Sequence, residues 1–268
     1  MITNKKNIIY IDWPIPKVLA FSTTRLPLSN QATSKSPLHI RPNITNTVNT
    51  QSEFDYFNLG NHVGDCPKTV LRNRTSLLNY LPVNAKVQWL EQVHCSHVAE
   101  VIKHDRSPIV ADAVITRSRN VALAIMTADC LPILLSNSEG SEIAAIHAGW
   151  RPLAANIILN TLSKMTAENK DIHAWLGPCI GRSNFEVGAE VRQVFCALSQ
   201  KLSRFFITST GDKYHADLSG LARHLLEMAG VVSITHHQEC TFADKDKFYS
   251  YRREYKTGRM ASIICLEK

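Results

Sequence analysis

The sequence predicts an α+β fold, a single domain with mixed β-sheets flanked by helices, and three observations lead there. Short apolar runs of strand character recur at 17–25, 86–93, 97–103, 111–116, 121–126, 131–135, 143–146, 174–176, 231–235 and 261–266. Helical periodicity falls instead at 67–81, from Pro152 to Leu162, at 189–202 and at 218–228, and this order is not the strict alternation of a βαβ chain. No internal repeat, low-complexity tract or linker divides the 268 residues, so one domain spanning 1–268 with a substantial core is expected.

Taken in order, KVLAFSTTR is a strand that runs into a loop, and 26–52 is rich in Ser, Thr, Asn and Pro without apolar periodicity. Such a stretch inside a compact domain reads as a long loop. Pro67 opens a helix with Asp65 as its expected cap, and Val70, Leu71, Leu77, Leu78 and Leu81 place Arg74 within it. Pro132 is expected to end any regular ladder after Cys130, and the run 143–146 is a buried strand that stops at His147. A helix from Pro152, with proline tolerated in its first turn, should continue through Ile157, Ile158 and Leu162. Gly177-Pro178 closes the strand 174–176, and Gly230 stops the helix 218–228.

Composition narrows the function. A hydrophobic share of 44% and a charged share of 20% are ordinary for a soluble globular protein. No apolar run approaches the roughly 20 residues that cross a bilayer, and the start lacks a secretory signal pattern, so a cytoplasmic address without membrane attachment is expected. The net charge of +7 is scattered, with its densest group at Arg252, Arg253, Lys256 and Arg259. Without a zinc finger, basic helix or ribonucleoprotein-type aromatic motif, nucleic acid is not the expected partner; small anions suit the charge as well. Seven cysteines with no CxxC pair indicate reduced thiols, with Cys196 on an amphipathic helix and Cys265 on the last strand expected in the core.

Three segments carry the chemistry: Gln92-Val93-His94, Ala128-Asp129-Cys130 and His147-Ala148-Gly149-Trp150. Each follows an apolar or strand-like run, so each ligand should sit at a strand end. His97 is three residues beyond His94, but in extended chain the two point to opposite faces, and only His94 is credited. Asp129 stands in the apolar run VALAIMTADCLPILL, where an unpartnered carboxylate costs several kcal/mol, so it is not decorative. After His147 a small-small pair allows close approach by another group; Trp150 is placed to stack a planar ligand and Arg151 to hold an anion at a helix start. Two imidazoles and one thiolate make a three-ligand set, which leaves a fourth position for water or substrate and so points to an enzyme.

The segments EQVHCSHV, ADAVITRSRNVALAIMTADCLPILL, AAIHAGWRPLAANI, WLGPCIGRSNFEVGAEV and FYSYRREYKTGRMASII, with FNLGNHVGDCPKTVLRNR before them, resemble in that order the YfiH-like family. That family carries the labels laccase-like polyphenol oxidoreductase and peptidoglycan editing factor, and is associated with purine nucleoside phosphorolysis and adenosine deamination. The resemblance covers about residues 54–266. It implies a zinc ion held by His94, Cys130 and His147, with Arg74 contacting phosphate or substrate. The implied activity is zinc-dependent purine nucleoside phosphorolysis, releasing adenine from adenosine with phosphate, with adenosine deamination and methylthioadenosine phosphorolysis beside it. In that reading Cys130 and His147 belong to the reacting centre, Asp129 shuttles protons or orients a ligand, and Arg74 and Arg151 grip phosphate. The partners are a nucleoside and phosphate, while oligomeric state stays open. Pro152 stands where the family usually has glycine, and RLPLSNQATSKSP replaces its glycine-containing segment, which bears on the pocket rim.

Two alternatives remain. A copper-dependent polyphenol oxidase needs many imidazoles, yet none of the 11 histidines forms a His-x-His pair, although copper binds such a site readily in vitro. A thiol hydrolase or amidase acting on peptidoglycan precursors would use Cys130 as nucleophile and His147 as base.

Overall fold

The computed structural model describes residues 7–28, 54 and 56–267. Most of the expected loop at 26–52 therefore lies outside the described residues.

Eleven strands build the two main sheets: β1 (Ile8–Tyr10), β2 (Val18–Thr23), β3 (Lys86–Gln88), β4 (Val98–Glu100), β5 (Ala113–Thr116), β6 (Val121–Thr127), β7 (Leu131–Asn137), β8 (Ile143–Ala148), β9 (Ile172–Leu176), β10 (Ser233–His236) and β11 (Met260–Leu266). The first sheet has the order β1-β2-β11-β6-β3 and the second β10-β9-β7-β8-β5-β4. Both are mixed, because β3 runs parallel to β6, β4 to β5 and β10 to β9, while the remaining pairs are antiparallel. Among the described residues five α-helices accompany them: α1 (Pro67–Leu77), α2 (Trp150–Ala154), α3 (Ile157–Leu162), α4 (Ala189–Leu198) and α5 (Leu218–Met228). The α+β class is as expected.

The side chains divide the molecule into layers. Leu123 and Ile125 of β6 meet Val114, Leu134, Ile143, Ala145 and Trp175 of the second sheet. The alternate residues Ala122, Ala124 and Met126 face the other way, onto Leu77 of α1, Phe57 and Leu59. Likewise Leu131, Ile133 and Leu135 of β7, with Ala144 and Ile146 of β8, pack against Leu153, Ile157, Ile158, Leu221 and Leu226 of the helices. The layers run α1, first sheet, second sheet, remaining helices. Strands buried on both faces read as continuous apolar runs rather than alternating ones, which is why β6 to β8 stand out in the sequence.

Several local expectations change. The helix expected from Pro152 to Leu162 is two short ones, because Asn156 adopts a left-handed φ of 63°, a conformation its short polar side chain tolerates. Pro132 does not end a ladder. It is the second residue of β7, opposite His147, near a strand start where proline is accepted, and its carbonyl accepts from the Gly177 amide at 2.9 Å. Cys66, not Asp65, is the residue preceding α1. The Asp65 carboxylate instead accepts from the Cys66 amide and from Asn58 Nδ2, at 2.7 and 2.9 Å, and so fastens the turn. The stretch 189–202 leaves α-geometry at Leu198 and tightens into a 3-10 segment, Gln200–Phe205. The run 86–93 divides into β3 and a short strand Leu90–Glu91. Cys265 is buried as expected, whereas Cys196 is only half-buried.

Candidate metal centre

Three segments deliver the ligands. His147 is the penultimate residue of β8 and is buried, with 4% exposure. Cys130 lies in the bend through which the chain leaves β6 of the first sheet and enters β7 of the second. His94 sits in the turn after Leu90–Glu91, exposed and with a left-handed φ of 60°. The ligand atoms of all three lie within 4.8 Å of one another. Cys130 Sγ is 3.8 Å from His94 Nε2, and the two imidazole rings meet edge-on with centroids 4.7 Å apart. The expectation that each ligand sits at a strand end holds for His147 and Cys130, while His94 is carried by a turn.

Hydrogen bonds fix each segment. Gln92 grips the Met126 backbone at both ends of its amide, giving from Nε2 to the carbonyl and accepting from the N–H at 2.8 Å each, so the His94 turn is tied to the end of β6. Gly149 is needed for space: a Cβ there would lie 3.0 Å from Cys130 Sγ and 3.3 Å from His94 Cδ2. The small-small pair after His147 thus admits two other ligands.

Asp129 points elsewhere. Its φ is 97°, and its carboxylate accepts from Thr241 Oγ1 at 2.6 Å, Ser250 Oγ at 2.9 Å and the Arg252 amide at 2.7 Å. It is the partnered buried carboxylate that the apolar run required, and its partners belong to the C-terminal segment. Asp112, passed over in the sequence, is the acid that touches the ligand set: its Oδ1 is 2.7 Å from His147 Nδ1, and it is fully buried. The signal was available, since Asp112 interrupts the apolar run ADAVIT as Asp129 interrupts its own.

The charges suit metal binding. Burial works to raise the Cys130 thiol, but His147 and His94 beside it outweigh that and hold its pKa well below the usual thiol range. Burial works against a charged His147, yet Cys130 and Asp112 raise it overall. Asp112 is opposed by burial too, and its bonds to His147 and the Cys95 amide still bring it down to about 2. A ready thiolate paired with His147, whose Nδ1 is engaged so that an ion has only the Nε2 proton to displace, and a second imidazole on the open side fit a borderline-soft divalent ion with a free position.

A cationic group gathers nearby. Arg74 stacks over Trp89, 3.9 Å from the ring centroid, and donates to the Leu59 carbonyl and to Met126 Sδ. Burial among these neutral partners lowers it to about 10. Arg259 donates to the Thr257 and Gly258 carbonyls. Burial lowers its pKa, while the nearby charges of Cys130 and Asp129 act the other way. His62 is pushed down by burial and then by the charges of Arg259 and Arg74. Arg259 was visible in the sequence only as one of a basic group. Its neighbours there have structural partners, for Arg253 donates to the Thr241, Phe242 and Phe248 carbonyls. Arg151, expected from the sequence to hold an anion, is the second residue of α2. It is exposed, and its guanidinium covers the Trp150 ring at 4.5 Å. Trp150 itself is partly buried and packs on the outer core.

A converging His–Cys–His set with one open side, held at the junction of two mixed sheets and bordered by partly buried arginines, defines a class of candidate metalloproteins with a reactive centre. A family model described as multi-copper polyphenol oxidoreductase laccase matches residues 45–267, and the chain belongs to this family, that of the YfiH-like proteins. An Escherichia coli K12 protein named purine nucleoside phosphorylase YfiH is 41% identical over 97% of this chain and 98% of its own. A Haemophilus influenzae protein named purine nucleoside phosphorylase is 36% identical over 96% and 98%. Among solved structures, a Neisseria meningitidis protein superposes with a TM-score of 0.85 at 36% identity, covering 98% of this chain and all of that one. YlmD from Geobacillus stearothermophilus gives 0.79 at 26% identity, over 95% and 94%. Among the described residues no helix is long and apolar enough to cross a membrane.

Proposed function

We propose that the protein is a zinc-dependent purine nucleoside phosphorylase that releases adenine from adenosine with phosphate, with adenosine deamination and methylthioadenosine phosphorolysis as further activities. The observation that carries this reading is the open His94–Cys130–His147 set beside Arg74 and Arg259, whose own hydrogen bonds go to uncharged groups. The names of the Escherichia coli and Haemophilus influenzae relatives support it.

His94, Cys130 and His147 would hold the zinc ion, which when bound supplies a Lewis acid and lowers the pKa of water. In phosphorolysis a phosphate oxygen forms a bond to ribose C1′ as the bond to the purine nitrogen breaks. The chain's part is to orient phosphate and offset its charge. Arg74 and Arg259 suit that task because guanidinium forks match phosphate oxygens, and their partial burial strengthens each contact relative to water. Trp89 fixes one face of Arg74, which pre-organises the grip. Asp129, with both oxygens engaged, acts in this reading as an anchor for the bend that presents Cys130.

Incubating the purified protein with adenosine, with and without phosphate, tests the proposal. Adenine formed only with phosphate is expected, with inosine as the deamination product; neither product forming refutes the purine reading. Protein purified without added metal should carry about one zinc per chain, lost in Cys130→Ala.

A second reading has one observation in its favour. Asp112, His147 and Cys130 are disposed as a thiol triad, with Asp112 on Nδ1 of the base, as a Cys/His hydrolase or amidase of peptidoglycan precursors requires. Metal-free protein alkylated selectively at Cys130 would favour it. Multicopper oxidase chemistry has less to draw on, because among the described residues one group of three or more His, Cys, Asp or Glu is able to hold an ion.

A further inference from the structure

Beyond the ligands, one buried group touches two of the three ligand-bearing segments. Asp112 Oδ1 is 2.7 Å from His147 Nδ1. Its Oδ2 accepts from the Val93 amide at 3.1 Å and from the Cys95 amide at 2.7 Å. We propose that Asp112 is the positioning residue for both histidine ligands, so that the orientation of the His147 ring and the conformation of the His94 turn are set together by one carboxylate. This rests on the metal-centre reading above and deepens it.

Amides at Val93 and Cys95 belong to the peptide planes on either side of the Val93-His94 pair, so anchoring both to one atom fixes the torsions between them. One of those torsions is the φ of 60° at His94, a left-handed value that is unfavourable for a non-glycine residue and persists only where surroundings impose it. The anchor itself is held. Asp112 is fully buried, its carbonyl accepts from the His147 amide at 2.7 Å, and its own amide donates to the His97 carbonyl at 3.2 Å. At the other oxygen, a proton on His147 Nδ1 directed at Oδ1 selects the tautomer whose Nε2 lone pair is free to ligate.

A carboxylate suits this role and an amide does not. Three donors converge on two acceptor oxygens, whereas asparagine offers one oxygen and presents N–H groups where the second acceptor must be. Asp112→Asn must therefore abandon either His147 or the His94 turn. A merely structural Asp112 would lower stability without altering how an ion is held.

The test uses the full-length protein and Asp112→Asn, with Zn2+ affinity read by competition with a chromophoric chelator and ligand geometry read from the Co2+ absorption bands. Zn2+ affinity is expected to fall about 10- to 100-fold, with altered Co2+ bands and faster amide exchange in the peptide containing residues 93–95. Affinity within threefold of the parent protein and an unchanged Co2+ spectrum overturn the proposal. A measurement on the unaltered, metal-free protein serves even if the variant does not fold. The Val93 and Cys95 amides should be protected from exchange, because their acceptor is in place without the ion, and exchange at the unprotected rate overturns the proposal. An unaltered protein that takes up neither Zn2+ nor Co2+ refutes the metal centre itself, whereas normal uptake that is indifferent to Asp112→Asn refutes this inference alone.

Discussion

Asp112 and Asp129 are both buried next to a metal-ligand candidate and each accepts three hydrogen bonds, yet the donors differ in kind. Around Asp112 they are a ligand ring and two amides of a ligand-bearing turn. Around Asp129 they are two hydroxyls and an amide from the C-terminal segment. In the proposed reading the first corner of the molecule orients ligands, and the second holds the chain in place behind one. A buried carboxylate is thus defined by the donors it gathers, not by its adjacency in sequence to a reactive residue.

The comparison can be broken experimentally, beginning where the effect is greatest. Asp129→Ala should destabilise the fold by about 3 kcal/mol, since it strips a charged acceptor from three donors and leaves the Arg252 amide orphaned. Zinc stoichiometry should nevertheless stay near one per chain. Urea unfolding followed by metal analysis checks both halves, and loss of metal without loss of stability would reverse the roles assigned to the two corners. Gly149→Ala isolates the ligand side. Its backbone, at φ −68° and ψ 167°, accepts any residue, so the added methyl acts only through crowding Cys130 and His94. A roughly tenfold loss of Zn2+ affinity, about 1.4 kcal/mol, is expected with little change in melting temperature. Arg74→Lys keeps the charge but loses the planar stack on Trp89, a contact worth about 1 kcal/mol. The KM for phosphate should rise several-fold while that for adenosine changes less, as steady-state kinetics at varied phosphate will record. Arg151→Ala removes a surface guanidinium from Trp150 and should alter kcat/KM and stability by less than about 0.5 kcal/mol. A large effect on the phosphate KM would restore the anion-binding role expected for it from sequence.

What the sequence disclosed follows from physical uniformity. Strands β6 to β8 announced themselves because both faces are apolar, and the His, Cys and His segments because soft ligands beside small residues are unusual at strand ends. Rules that depend on one neighbour failed. Pro132 looked like a terminator, but the proline comes early in β7, where an amide is not essential. The break at Asn156 turns on a single left-handed residue inside an otherwise continuous apolar periodicity. Asp112 and Arg259 were hidden for a different reason, as each acquires its importance from groups far away in the chain, Asp112 from His147 and Arg259 from Cys130 and Asp129.

The bend at Cys130 has a mechanical consequence. The chain changes sheets there, and His147 stands on the strand next to the one it enters. An ion clasped at this spot would work as a rivet through a laminate, resisting any sliding of one layer over the other while leaving the far borders free to fray. Heating the loaded protein should accordingly peel β1 and β10, the edge strands farthest in sequence from the three candidate ligands, before the riveted seam gives way.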